Sequence, residues 1–145
     1  MNKDQVDKIK SLIKLDIDAA SAYEEALEHI ETPSIHKTMT MYLSDHRRHV
    51  DLLSDLLRNA GEVPPERTKD IKGFFIEGFT SLRSITGEDG ALKAMLSNEK
   101  ITNRKYQDAY ENWDLEPEAL AVVSDNYEDE QRHLSYIEDV LHVKV

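Results

Sequence analysis

The sequence predicts an all-α domain, a bundle of four long helices with one long crossover connection. Three observations carry that prediction. Gly and Pro number only 5 and 4 in 145 residues, while 32% of the chain is charged, a composition that favours helix over turns and sheet. Apolar residues recur at alternating spacings of three and four in four separate stretches, the signature of one helical face. The stretches also come as two matching pairs, so the chain reads as one helical hairpin used twice. Its length suits a single domain with one core, residues 1–145, made of a hairpin over 4–60, a crossover over 61–90 and a hairpin over 91–142.

The first helix is expected from Asp4 to Glu31, with a stripe of Ile9, Ile13, Asp16, Ala20, Tyr23, Leu27 and Ile30. The second opens at Thr32-Pro33, a capping residue followed by proline at the first helical position. Its stripe is Ile35, Met39, Tyr42, His46, His49, Leu53, Leu56 and Ala60, and Gly61 marks its end. The third runs from about Gly90 to Asp114 through Leu92, Leu96, Glu99, Asn103, Tyr106, Tyr110 and Trp113. The fourth starts at Pro117 and carries Leu120, Val123, Tyr127, Glu130, Leu134, Ile137 and Leu141, with His133 on its flank. Each helix of about 25 residues spans ~37 Å. The short first and last links make antiparallel hairpins. The long middle link, Gly61 to Gly90, can carry the chain back along the bundle and set the second and third helices parallel. Within it lie Pro64-Pro65 and a short amphipathic helix through Ile71, Phe74, Phe75, Phe79, Leu82 and Ile85. The phenylalanines pack that helix onto the bundle, and a surplus face would serve a homodimer contact.

Composition narrows the function classes. A net charge of -11 argues against nucleic acid, whose phosphates need clustered Lys and Arg, and against an anionic membrane surface. The absence of cysteine rules out disulfides, thiolate ligands, a Cys nucleophile and iron–sulfur clusters. No signal-peptide run and no membrane-length apolar stretch is present, which makes a soluble cytoplasmic protein the expectation.

The duplication sharpens the reading. Asp16 precedes Tyr23 by seven residues, as Glu99 precedes Tyr106; Pro33 precedes His49 by sixteen, as Pro117 precedes His133. Arg48-His49 then matches Arg132-His133, and His46 falls opposite Glu130. Asp16, His46, His49, Glu99, Glu130 and His133 therefore lie on or beside the inward stripes. Charged groups are rarely buried unless paired or bound to metal. His46 and His49, like Glu130 and His133, are three apart and share a helix face. Carboxylate oxygen together with imidazole nitrogen suits iron or manganese, with zinc also possible, rather than calcium or magnesium. All six are candidate ligands for one ion or two. An internal network of carboxylates and imidazolium groups is the competing explanation.

Other residues fit blander roles. Tyr23 and Tyr106 could hydrogen-bond the carboxylates, although packing with a satisfied hydroxyl is the commoner use. Asp45, one residue off the stripe and four before His49, is a candidate replacement for the carboxylate that the duplicated pattern lacks at His46. Asp18, Glu24, Glu25 and Glu28 read as solvated charges, Trp113 as a core plug, and Met39, Met41 and Met95 as packing residues. His29, His36 and His142 have no partner at ligand spacing.

The segments from Gly73 to Thr80, from Gly87 to Met95 and from Asp129 to Leu134 resemble a small bacterial family of ferritin-like domains of unknown function. The likeness covers about residues 5–142, and the wider relatives are rubrerythrin and bacterioferritin. It implies a ferritin-like four-helix bundle, a di-iron type of carboxylate site, and roles in oxidative stress or metal handling. The intact motif is Glu130-Gln131-Arg132-His133, with His46-Arg47-Arg48-His49 as its counterpart. Unlike rubrerythrin, the chain has no cysteine-bearing part, and it carries Asp16 and His46 where that family has glutamates. Three functions follow: a metal-dependent oxidoreductase acting on dioxygen or peroxide, a metal-sequestering protein without turnover, and a structural bundle whose site only organises the core.

Overall fold

A computed structural model describes residues 1–66 and 76–144. Among the described residues the chain forms four helices and no strands: α1 (Lys3–Leu27), α2 (Pro33–Asn59), α3 (Gly87–Asn112) and α4 (Pro117–Lys144). Local chemistry sets the ends. The Asn2 side chain accepts from the Gln5 N–H at 2.8 Å, and the Gln5 side chain accepts from the Asn2 N–H at 2.9 Å, a reciprocal cap for α1. Pro33 opens α2 as expected. Thr32 does not cap through its side chain; its hydroxyl donates to Glu88, which also accepts the N–H groups of Glu31 and Thr32. The α1–α2 turn is thus tied to the first turn of α3, and α1 ends before the expected Glu31. Gly61 adopts φ 79°. Its N–H bonds the Arg58 carbonyl while that of Glu62 bonds the Leu57 carbonyl, the paired closure that glycine permits at a helix end.

Cross-helix pairs give the directions. Asp16 meets His49 and Glu24 meets Arg47, so α1 and α2 are antiparallel. Tyr23 meets Glu99 and Asp16 meets Tyr106, so α1 and α3 are antiparallel as well. It follows that α2 and α3 run parallel, and the connection between them returns the chain along the bundle. In α4, His133 faces Asp45, and Glu130 faces Thr102.

Two apolar layers fill the interior. One gathers Tyr23, Met39, Leu43, Leu82, Leu92, Met95 and Ile137. The other gathers Ile9, Leu12, Ile13, Leu53, Leu57, Tyr106 and Val123. Several residues expected on the stripes or in packing lie elsewhere. Met41 is 60% exposed, Tyr110, Leu120 and Ala60 face solvent, and Trp113 is only half-buried, with Lys8 over its ring. In α4 the inward face is Ala119, Val123, Asn126, Glu130, His133, Ile137 and Leu141, leaving Tyr127 and Leu134 on the flank. A stripe chosen for apolarity drifts sideways where polar residues take the inner positions.

The crossover brings two further corrections. Of the short helix expected there, Ile71, Phe74 and Phe75 lie outside the described residues, and 76–86 runs in turns and irregular backbone. Side chains from the bundle take the backbone groups a helix would have used. Asp18 accepts from the Ile76 N–H at 2.7 Å, Asn98 pairs with both backbone groups of Thr80, and Glu25 accepts from the Leu82 N–H. Asp18 is therefore a buried anchor, not a solvated charge. Leu82 is fully buried, and Phe79 packs on the lower layer.

Candidate metal centre

Between the two apolar layers lies a polar one. Asp16, His46, His49, Glu99, Glu130 and His133 are each 0–1% exposed and converge from all four helices. Asp16 Oδ1 lies 2.8 Å from His46 Nδ1 and 3.1 Å from His49 Nδ1. Glu130 Oε1 is 3.3 Å and 3.4 Å from the same two nitrogens. On the other side, Glu99 Oε1 is 3.4 Å from His46 Nε2 and 3.6 Å from His133 Nδ1, and Glu130 Oε2 is 3.7 Å from His133 Nδ1. Two groups of four could each hold a metal ion: Asp16, His46, His49 and Glu130, and His46, Glu99, Glu130 and His133. They share His46 and Glu130, the two residues that the duplication sets opposite each other.

The surrounding bonds follow the duplication too. The Tyr23 hydroxyl donates to Glu99 at 2.5 Å and the Tyr106 hydroxyl to Asp16 at 2.5 Å, so each repeat's tyrosine holds the other's carboxylate. His49 Nε2 bonds Asp129 at 2.8 Å, and His133 Nε2 bonds Asp45 at 2.8 Å. Asp45 is thus no replacement bridge: it faces the outer nitrogen of His133. Asp129 was not among the expected residues, although the register that pairs His49 with His133 pairs Asp45 with Asp129 and could have found it. Outside, Arg48 and Arg132 both bond Asp129, and Arg48 also bonds Asp45. An outer carboxylate on one imidazole nitrogen fixes the ring and turns the other nitrogen inward, as around metal-bound histidines. Thr102 and Asn126 also escape sequence reading. Thr102 donates within reach of Glu99 and Glu130, and Asn126 donates to the Tyr106 hydroxyl.

Burial strongly shapes ionisation here. For Asp16 it favours the neutral acid, but the His49 charge and the bonds from both histidines outweigh it and hold the carboxyl below its usual range. Glu99 is held well below by the neighbouring His133 and His46, again against burial. Burial would also lower the histidines. The Glu130 charge and the Asp16 and Glu99 bonds instead push His46 up to about 9, and Asp16 and Asp129 push His49 up to about 11. His133 is raised well above its ordinary value by Asp45, Glu130 and Glu99, against burial. Burial and the adjacent carboxylates keep both tyrosines neutral.

Even so, two atoms remain unmatched. Glu130 Oε1 and His133 Nδ1 are buried without a hydrogen-bond partner among the described residues. Leaving such atoms unserved costs about 1–3 kcal/mol each, more where charge is involved. A cation on the Glu99 side would serve the His133 nitrogen and one on the Asp16 side Glu130 Oε1, and carboxylate with imidazole is a donor set that first-row divalent ions accept.

The fold and the site together define a four-helix bundle with a buried carboxylate–histidine centre able to hold a metal ion. The family described as Domain of unknown function (DUF2383) matches residues 4–112, and the chain belongs to that family. The matched span contains Asp16, His46, His49 and Glu99; Glu130 and His133 lie beyond it on α4. No curated protein matches the chain. Among the described residues no helix is long and apolar enough to cross a membrane.

Proposed function

We propose that this chain is a single ferritin-like domain binding a divalent ion of the iron class in its interior, with manganese or zinc as alternatives, and serving metal handling or defence against dioxygen and peroxide. The pairing of two antiparallel hairpins through one long crossover supports the ferritin-like assignment, because it delivers one carboxylate from each of α1 and α3 and a three-residue-spaced pair from each of α2 and α4. The observation that carries metal binding is the pair of unmatched buried atoms, Glu130 Oε1 and His133 Nδ1, within a layer of donors. A bound ion would supply Lewis acidity and, if iron or manganese, a redox couple. The protein's own part is to hold donors and exclude water. Tyr23 and Tyr106 fix two carboxylates, Asp45 and Asp129 fix two imidazoles, and the apolar layers close the space above and below.

The test is elemental analysis of protein purified without chelator, beside Glu130→Ala. Wild type should carry metal, while the variant should lose it and keep its helical circular dichroism. Equal metal in both would remove this site from consideration. Rapid uptake of dioxygen or peroxide by ferrous protein would then separate a reacting centre from a sequestering one. A structural reading has its own support: the contacts of His46 and His49 with Asp16 at 2.8 Å and 3.1 Å can neutralise charge without an ion. On that reading, chelation leaves the melting temperature unchanged; on ours it lowers it.

A further inference from the structure

We propose that the centre is built for one ion, held by His46 Nε2, Glu99, Glu130 and His133, while Asp16 and His49 act as positioning residues that fix His46 from behind. This rests on the metal-binding reading above and says where the ion goes and why a second is refused.

The two sides of His46 are spaced differently. Donors about 2.1 Å from an ion in tetrahedral array lie about 3.4 Å from one another. On the Glu99 side the separations are 3.4 Å, 3.6 Å and 3.7 Å, too long for strong hydrogen bonds and open enough for an ion. On the Asp16 side the shortest contacts are 2.8 Å and 3.1 Å, the lengths of closed hydrogen bonds. The unmatched His133 nitrogen belongs to the open side, 3.6 Å from Glu99 and 3.7 Å from Glu130. Glu130 Oε1, the other unmatched atom, at least faces two imidazole nitrogens at 3.3 Å and 3.4 Å.

His46 itself enforces the asymmetry. A neutral imidazole has one lone pair and one N–H. The ring's shortest contact is Nδ1 to Asp16, so when the ring gives up a proton to bind metal the N–H stays there and the lone pair is on Nε2, facing Glu99. In the duplicated pattern His46 stands where Glu130 stands, and a glutamate there could give one oxygen to each side. Histidine cannot do so while it keeps its Asp16 bond. On the Glu99 side the Thr102 hydroxyl, with one proton to donate, lies 3.0 Å from both Glu99 Oε2 and Glu130 Oε2 and 2.9 Å from the Glu99 carbonyl. The register places Ala19 at the equivalent position in the first repeat.

The experiment is a Co2+ titration of the metal-free protein, followed by elemental analysis, and an anomalous-scattering map from crystals grown with Zn2+. One ion per chain is expected, with a single peak among His46, Glu99, Glu130 and His133 and the intense visible absorption of four-coordinate cobalt. Glu99→Gln should weaken binding at least a hundredfold. Asp16→Asn should weaken it ten- to a hundredfold, yet keep one ion and the cobalt spectrum. His46→Glu should raise the count to two. Two ions in the unaltered protein, a peak beside Asp16 and His49, or a folded His46→Glu protein that still takes one would overturn the inference and leave the metal-binding reading standing. No bound metal under any of these conditions would overturn both.

Discussion

His133 has its outer nitrogen against Asp45 and its inner nitrogen among carboxylates that do not reach it. That contrast shows how single residues are used here: one partner orients the ring while the other side is kept open. Asp45→Asn should lower metal affinity ten- to a hundredfold, because the His133 imidazole loses an anionic partner that fixes it, and Asp129→Asn, acting only through His49, should lower it by less. Competition against a chelating indicator would measure this, and unchanged affinity in both would remove the orienting role. Tyr106→Phe deletes a 2.5 Å bond to a buried carboxylate and strands Asn126. A loss of about 1–3 kcal/mol in urea denaturation is expected, and a neutral result would mean that water replaces the hydroxyl.

Each helix is an amphipathic rod whose inner face changes character halfway along. Apolar residues occupy both ends of the stripe and ionisable ones its middle, which is why the apolar layers bracket the polar one. Leu57, fully buried in the lower layer, should cost about 2–5 kcal/mol as Leu57→Ala. The crossover depends instead on polar anchors from the bundle. Asp18→Ala removes the acceptor of the Ile76 N–H. It should cost about 1–3 kcal/mol and speed proteolytic cleavage at Ile76 and beyond, a result that limited proteolysis with mass mapping can contradict.

At the scale of the molecule, the polar layer links stability to pH and to metal in opposite directions. In the metal-free protein His46 and His49 sit at about 9 and about 11, above their unfolded value of 6.5. Their contribution is whole below pH 6.5 and drains away as pH rises through the folded values. Asp16 and Glu99 are lowered from 3.8 and 4.5, so theirs is whole above that range and lost in acid. These are the same ion pairs seen from two sides. Metal-free protein should therefore melt highest between about pH 4.5 and 6.5 and lower at pH 9. Metal requires deprotonated donors, so the gain on adding it should grow with pH. Thermal melts with and without chelator across pH 5–9 test both slopes, and a metal-free protein more stable at pH 9 than at pH 6 would contradict the ion-pair account.

Much of this was legible in the order of residues alone. Helical periodicity, Pro33 and Gly61 set the rods and one sharp end; the matched spacings in two halves set the hairpins and brought the six ionisable residues to one level, since period and repetition are local properties of a chain. What surrounds those residues was not legible. Asp129, Thr102 and Asn126 are ordinary polar residues until another helix lies against them. Asp18 reads as surface until the crossover drops its backbone onto it, and Met41 and Tyr110 read as core until the neighbouring rod fails to cover them. Sequence determined the phase of each rod and the level of the ionisable residues; tertiary structure decided which positions are covered and which atoms meet, because hydrogen bonding and ion spacing depend on fractions of an ångström between helices far apart in the chain.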